Sequence, residues 1–154
     1  MSFRVLGLSP APFRRYFEMS DAELRAAGAV RTTVAEAGLP CRVSLRHAPV
    51  GEEMLLVNYE HQPANTPYRA SHAIYVCRSS VESFDEADVV PEVIETRLVS
   101  VRAFDGDHMM VDAEVIEGKN AAALFDRMLA NDSVAYLQVH NAKRGCYSAR
   151  VERA

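Results

Sequence analysis

A chain of 154 residues with 49% hydrophobic and 25% charged side chains suits one soluble globular domain, 1–154, that needs no disulfide staples. Its net charge of −4 argues against nucleic acid as a partner, because phosphate binding calls for a basic face. Three cysteines without a close pair favour a reducing compartment; with no signal-peptide core and no apolar run of spanning length, a cytoplasmic protein off the membrane is expected.

Taken in chain order, Phe3 to Leu8 reads as a first strand, closed by Pro10 and Pro12. Ser20-Asp21-Ala22-Glu23 has the spacing of a capping box, and Gly28 is placed to stop the short helix it starts. Ala29 to Val34 is extended, and a turn at Gly38 and Pro40 leads into a strand over Cys41 to Leu45. Met54 to Val57 is an apolar strand that turns polar at Asn58-Tyr59-Glu60-His61-Gln62. A proline-braced loop follows with Thr66, Pro67, Tyr68, Arg69 and Ser71, and the chain returns through Ile74 to Cys77. Residues 79–90 read as a surface loop, and Pro91 starts a short helix to Thr96.

Leu98 to Phe104 and Met109 to Ile116 read as a hairpin around Asp105-Gly106-Asp107. Pairing 103 with 109, 101 with 111 and 99 with 113 places Val99, Val101, Ala103, Met109, Val111 and Ala113 on one apolar face. Asn120 to Ala130 is the best helix, with Leu124, Phe125, Met128 and Leu129 in one stripe and Asn131 suited to a left-handed stop. Two closing strands cover Val134 to His140 and Cys146 to Glu152. The fold class is therefore α+β: a mainly antiparallel sheet with two or three helices packed on one face.

Matching the apolar faces of the last two strands sets Val139 opposite Tyr147 and Leu137 opposite Ala149. That register makes His140 and Cys146 neighbours at the mouth of the 141–145 loop. A thiol beside an imidazole and basic residues is the setting that activates a nucleophile, with His140 as base. The competing reading keeps both as hairpin-end residues with local hydrogen bonds. His61 ends a strand, where binding sites form. Arg69 follows a proline-set turn and suits a carboxylate or phosphate, or else pairs with Glu60 across the hairpin.

No metal site is expected: there is no Cys-x-x-Cys and no histidine pair at helical spacing, so His61, His72, His140 and Cys146 could converge only through the fold. Cys41 and Cys77 read as buried small hydrophobes, and His47 and His108 as turn residues. A phosphate-cradling glycine loop, a nucleophile elbow and a dinucleotide fingerprint are all missing.

Four segments in order, Pro40 to Leu45, Asn58 to Gln62, Thr66 to Ser71, and Val139 to Ala142 with Gly145 to Tyr147, resemble the bacterial family catalogued as domain of unknown function 1203. The resemblance runs nearly the full chain. It implies a small stand-alone bacterial protein and carries no activity, cofactor or catalytic residue with it. His72-Ala73 stands where that family carries Gly-Pro, which sets His72 apart from the candidates. The polar and aromatic residues of these segments support a site for a polar or anionic small molecule, formed by 59–71 and 140–147. Its ligand-binding residues would be Tyr59, His61, Thr66, Tyr68, Arg69, Ser71, Asn141 and Tyr147. One alternative is a Cys/His enzyme or thiol redox protein. The other is a non-catalytic or homodimerising domain whose polar residues brace the 62–71 loop.

Overall fold

Two antiparallel sheets and four short helices make up the computed structural model, which describes residues 2–154. In chain order the elements are β1 (Phe3–Leu6), α1 (Arg14–Phe17), α2 (Asp21–Ala26), β2 (Val30–Thr33), β3 (Glu53–Gln62), β4 (Ala70–Cys77), β5 (Asp85–Ala87), α3 (Glu92–Glu95), β6 (Leu98–Phe104), β7 (Met110–Glu117), α4 (Ala121–Leu129), β8 (Tyr136–Asn141) and β9 (Tyr147–Arg153). The larger sheet runs β5-β1-β9-β8-β6-β7 and the smaller runs β2-β3-β4. The α+β class is as the sequence indicates.

Strand alternation gives the larger sheet two unlike faces. Val99, Val101 and Ala103 of β6, Leu137 and Val139 of β8, and Ala149 and Val151 of β9 point to one side. There they bury the α4 stripe of Leu124, Phe125, Met128 and Leu129. Each of those four side chains gains roughly 1.5–3 kcal/mol from leaving water, before entropy is charged against it. The opposite face alternates through Ser100, Arg102, Gln138 and His140, and it is polar. The second core lies on the smaller sheet, where Leu55, Val57, Ile74 and Val76 pack with Phe13, Leu24, Cys41 and Val43. The end of β3 reaches past this core onto the polar face of the larger sheet, through His61 to Gln138 and Tyr59 to Tyr147.

The capping box forms as expected: Ser20 Oγ accepts from the Glu23 N–H at 3.1 Å, and a Glu23 carboxylate oxygen accepts from the Ser20 N–H at 3.1 Å. Gly28 closes α2 with φ of 74°. Other expectations need correction. Residues 41–45 form a turn rather than a strand, because the Cys41 carbonyl accepts from the Leu45 N–H and Leu45 takes φ of 54°. The 79–90 loop contains β5, which is bonded to the outer edge of β1. The β6–β7 register is Val99 with Ile116, Val101 with Glu114 and Ala103 with Asp112. As a result Met109 and Val111 are exposed: β7 is an edge strand with Val115 also in solvent, and it packs on the core through Ile116. Asn131 is not left-handed, and the end of α4 is held instead by Arg153.

Candidate functional site

The last hairpin departs from the expected pairing. Val139 sits opposite Ala149 and Leu137 opposite Val151, and a register shift after Val139 sets His140 opposite Tyr147. Ser148 is the extra residue of this irregularity, which apolar alternation cannot reveal. Cys146 is therefore not the cross-strand neighbour of His140, and among the described residues no hydrogen bond joins them. His140 Nδ1 donates instead to the Gly145 carbonyl at 2.9 Å. The pairing expected for a base and a nucleophile is absent.

The 59–71 segment divides. Thr66, Tyr68, Arg69 and Ser71 stay at the far end of the β3–β4 hairpin. There Thr66 Oγ1 accepts from the Tyr68 N–H at 3.1 Å, and Arg69 faces Glu60 at 3.4 Å. Tyr59 and His61 point inward. Tyr59 bridges Phe13 and Tyr147, with ring centroids 5.9 and 6.2 Å away. Tyr147 stacks on His61 at 5.1 Å with the planes 6° apart. Burial raises the pKa of both tyrosines.

Around His61 the fold gathers three imidazoles. Residues 57, 59 and 61 of β3 share a face with 72, 74 and 76 of β4, so His72 joins His61 across the hairpin despite the bulge between Tyr59 and Gln62. His61 Nε2 lies 2.7 Å from His72 Nδ1. His140 arrives from β8, its ring centroid 4.8 Å from that of His61 and 5.4 Å from that of His72. One ring nitrogen from each falls within 4.8 Å of the others. Burial comes first in holding all three below the ordinary histidine value, His61 at about 4 and His140 at about 3, and the nearby Arg102 cation pushes the same way. All three are neutral near pH 7. The spacing of these residues along the chain gave no metal motif; the parity of positions 57, 59, 61 and 72, 74, 76 was the signal that could have joined two of them.

A second feature opens where the 38–42 turn meets the 141–146 loop. A cleft of about 300 Å³ is lined by residues that include Arg42, Tyr75, Arg97, Asn141, Arg144 and Cys146. An adjoining hollow of about 350 Å³ shares Arg97, Asn141 and Arg144 and adds Lys143. Arg42 is only 2% exposed, and its guanidinium donates from Nε to the Tyr147 carbonyl at 2.6 Å and from Nη1 to the Pro40 carbonyl at 2.9 Å. Arg97 donates from Nη2 to the Gly38 carbonyl at 2.6 Å. Among the described residues none of Arg42, Arg97, Lys143 and Arg144 has a carboxylate partner. Burial, partly opposed by Cys146, lowers Arg42 to about 10, and it stays a cation at neutral pH.

Of the sequence candidates, Asn141 and Cys146 line this cleft, while Tyr59, His61, His140 and Tyr147 belong to the histidine cluster. Arg42, Arg97 and Arg144 were missed, and His72, named as able to converge with His61 and His140 through the fold, was set aside. The other two cysteines are buried, as expected for small hydrophobes. Cys41 Sγ accepts from the Cys77 N–H at 3.3 Å and lies 3.2 Å from Ser80 Oγ. The Cys77 thiol's hydrogen bond holds Cys41 low and Cys77 correspondingly high.

Comparison with known proteins places residues 38–153 in the family described as Protein of unknown function (DUF1203). The chain belongs to that family. The matched region contains both the histidine cluster and the cationic cleft. No curated protein and no solved structure matches the chain. No helix among the described residues is long and apolar enough to cross a membrane.

Proposed function

We propose that the protein binds a small anionic molecule, carrying a carboxylate or phosphate, in the cleft between the 38–42 turn and the 141–146 loop. One observation carries this reading: in a chain of net charge −4, three arginines, Arg42, Arg97 and Arg144, line one cleft and Lys143 the hollow that shares its wall, and none has a carboxylate partner among the described residues. Unpaired cations cost free energy as they leave water, most of all Arg42, and an anion offsets that cost through charge-assisted hydrogen bonds. Two backbone carbonyls fix the plane of Arg42, so its fork is oriented before a ligand arrives. Asn141 adds an amide at the rim, and the volume suits a small metabolite.

Ligand-dependent melting at constant ionic strength tests the proposal. Inorganic phosphate or citrate should raise Tm above an equivalent chloride control, with a stabilisation of about 2.7 kcal/mol at 100 times Kd. Arg144→Ala, on the exposed side of the cleft, should remove most of the shift, and Arg69→Lys should leave it intact. Equal shifts in wild type and Arg144→Ala, or none beyond chloride, would overturn the assignment.

A further inference from the structure

We propose that His61, His72 and His140 form a binding site for a divalent first-row transition metal of the kind that prefers imidazole, such as zinc or cobalt. Three protein ligands would leave one open coordination position. The histidine cluster stands apart from the cationic cleft: Ala73 and Tyr75 line that cleft, and His72 and Ile74 alternate with them on the other side of β4.

Hydrogen bonding settles which nitrogens are available. Gln138 Nε2 donates to the His61 carbonyl at 3.0 Å, which turns its Oε1 toward the rings. His61 Nδ1 lies 2.8 Å from that oxygen, so Nδ1 carries the proton and Nε2 is bare. The Gly145 carbonyl can only accept, so His140 Nδ1 also carries its proton. His140 Nε2 is then a lone pair on a residue with 0% exposure, and it lies 3.4 Å from another acceptor, Gln138 Oε1. A buried acceptor facing an acceptor calls for a cation or a donor between them. Both outer nitrogens are thus held by an amide or a carbonyl, the arrangement that orients metal-binding histidines.

His72 completes the set from the half-buried side, which supplies an entry path. It now donates from Nδ1 to the bare His61 Nε2 at 2.7 Å. Tetrahedral ligands about 2.0–2.1 Å from an ion stand roughly 3.3–3.4 Å apart. Binding therefore opens this pair by about 0.6 Å and draws His140 inward. The His72 proton moves from Nδ1 to Nε2, so three neutral imidazoles bind without net proton release. Arg102, whose charge is felt by all three rings, favours an anion rather than water in the open position.

Cobalt titration of the full, tag-free chain after chelator treatment tests the site. The expected result is one Co²⁺ per chain with the intense visible bands of four-coordinate cobalt, bleached by one equivalent of Zn²⁺. His72→Ala alters a partly exposed residue and should keep the fold. It should weaken binding by more than about 100-fold, beyond the 10–100-fold loss attached to outer-shell partners. His61→Gln should act likewise, and His47→Ala should bind as wild type does. Only the pale spectrum of six-coordinate cobalt, or equal affinity in wild type and a folded His72→Ala, would overturn the site.

Discussion

At Gly118 the chain has no room for a side chain. A Cβ there would fall 1.7 Å from the Ile94 carbonyl oxygen and 2.9 Å from that of Arg97. The Gly118 N–H donates to the same Arg97 carbonyl at 2.7 Å, so backbone cannot retreat without losing that bond. Gly118→Ala should destabilise by about 3 kcal/mol, read as a lowered urea midpoint with unchanged slope. The buried histidines make a second prediction for chelator-treated protein. Unfolded histidines take up protons near pH 6.5, whereas folded His140 and His61 resist until about 3 and about 4. Below pH 6.5 the unfolded chain binds more protons, so stability should fall between pH 7.5 and 5.5, above the range where ordinary carboxylates titrate. Equal urea midpoints at those two pH values would contradict it.

Among the elements, α4 shows what periodicity conveys and what it omits. Its stripe of Leu124, Phe125, Met128 and Leu129 is legible in the sequence and buried as read. Its C-terminal contact is not, because the partner lies 24 positions away: Arg153 donates to the Leu129 carbonyl at 2.7 and 3.0 Å and to the Asn131 carbonyl at 3.0 Å. Arg153→Ala should cost about 1 kcal/mol, and Arg153→Lys should recover only part, because the planar fork is lost. Urea unfolding of the two variants checks this. The hairpins fail for a related reason. Alternation tells which face of a strand is apolar, but Ser148 in β9 and the irregularity after Ala103 shift the pairing without changing the pattern. Hence Cys146, expected beside His140, faces the cationic cleft instead.

Across the whole molecule, both proposed sites lie where the smaller sheet meets the polar face and loops of the larger. Asn141, Tyr147 and His61 were legible because polar and aromatic residues at strand ends exceed what core packing requires. Arg42 was not, since within an apolar run it reads as the outward residue of a strand, and only the turn at 41–45 buries it against the Tyr147 carbonyl. His72 was set aside because relatives differ there, although strand parity puts it beside His61. The Arg42 contact joins elements 105 positions apart, which no local pattern encodes, whereas His72 lies only 11 positions from His61 across one hairpin and its strand parity was readable.

The most direct measurement of the binding proposal is a titration with inorganic phosphate followed by amide chemical shifts in the ¹⁵N-labelled protein at constant ionic strength. Binding in the cleft should give saturable shifts centred on residues 38–42, 97 and 141–146, with the hairpin loop at 63–69 unmoved. Shifts centred on Arg69 and that loop, or a linear drift shared by the whole surface, would contradict it.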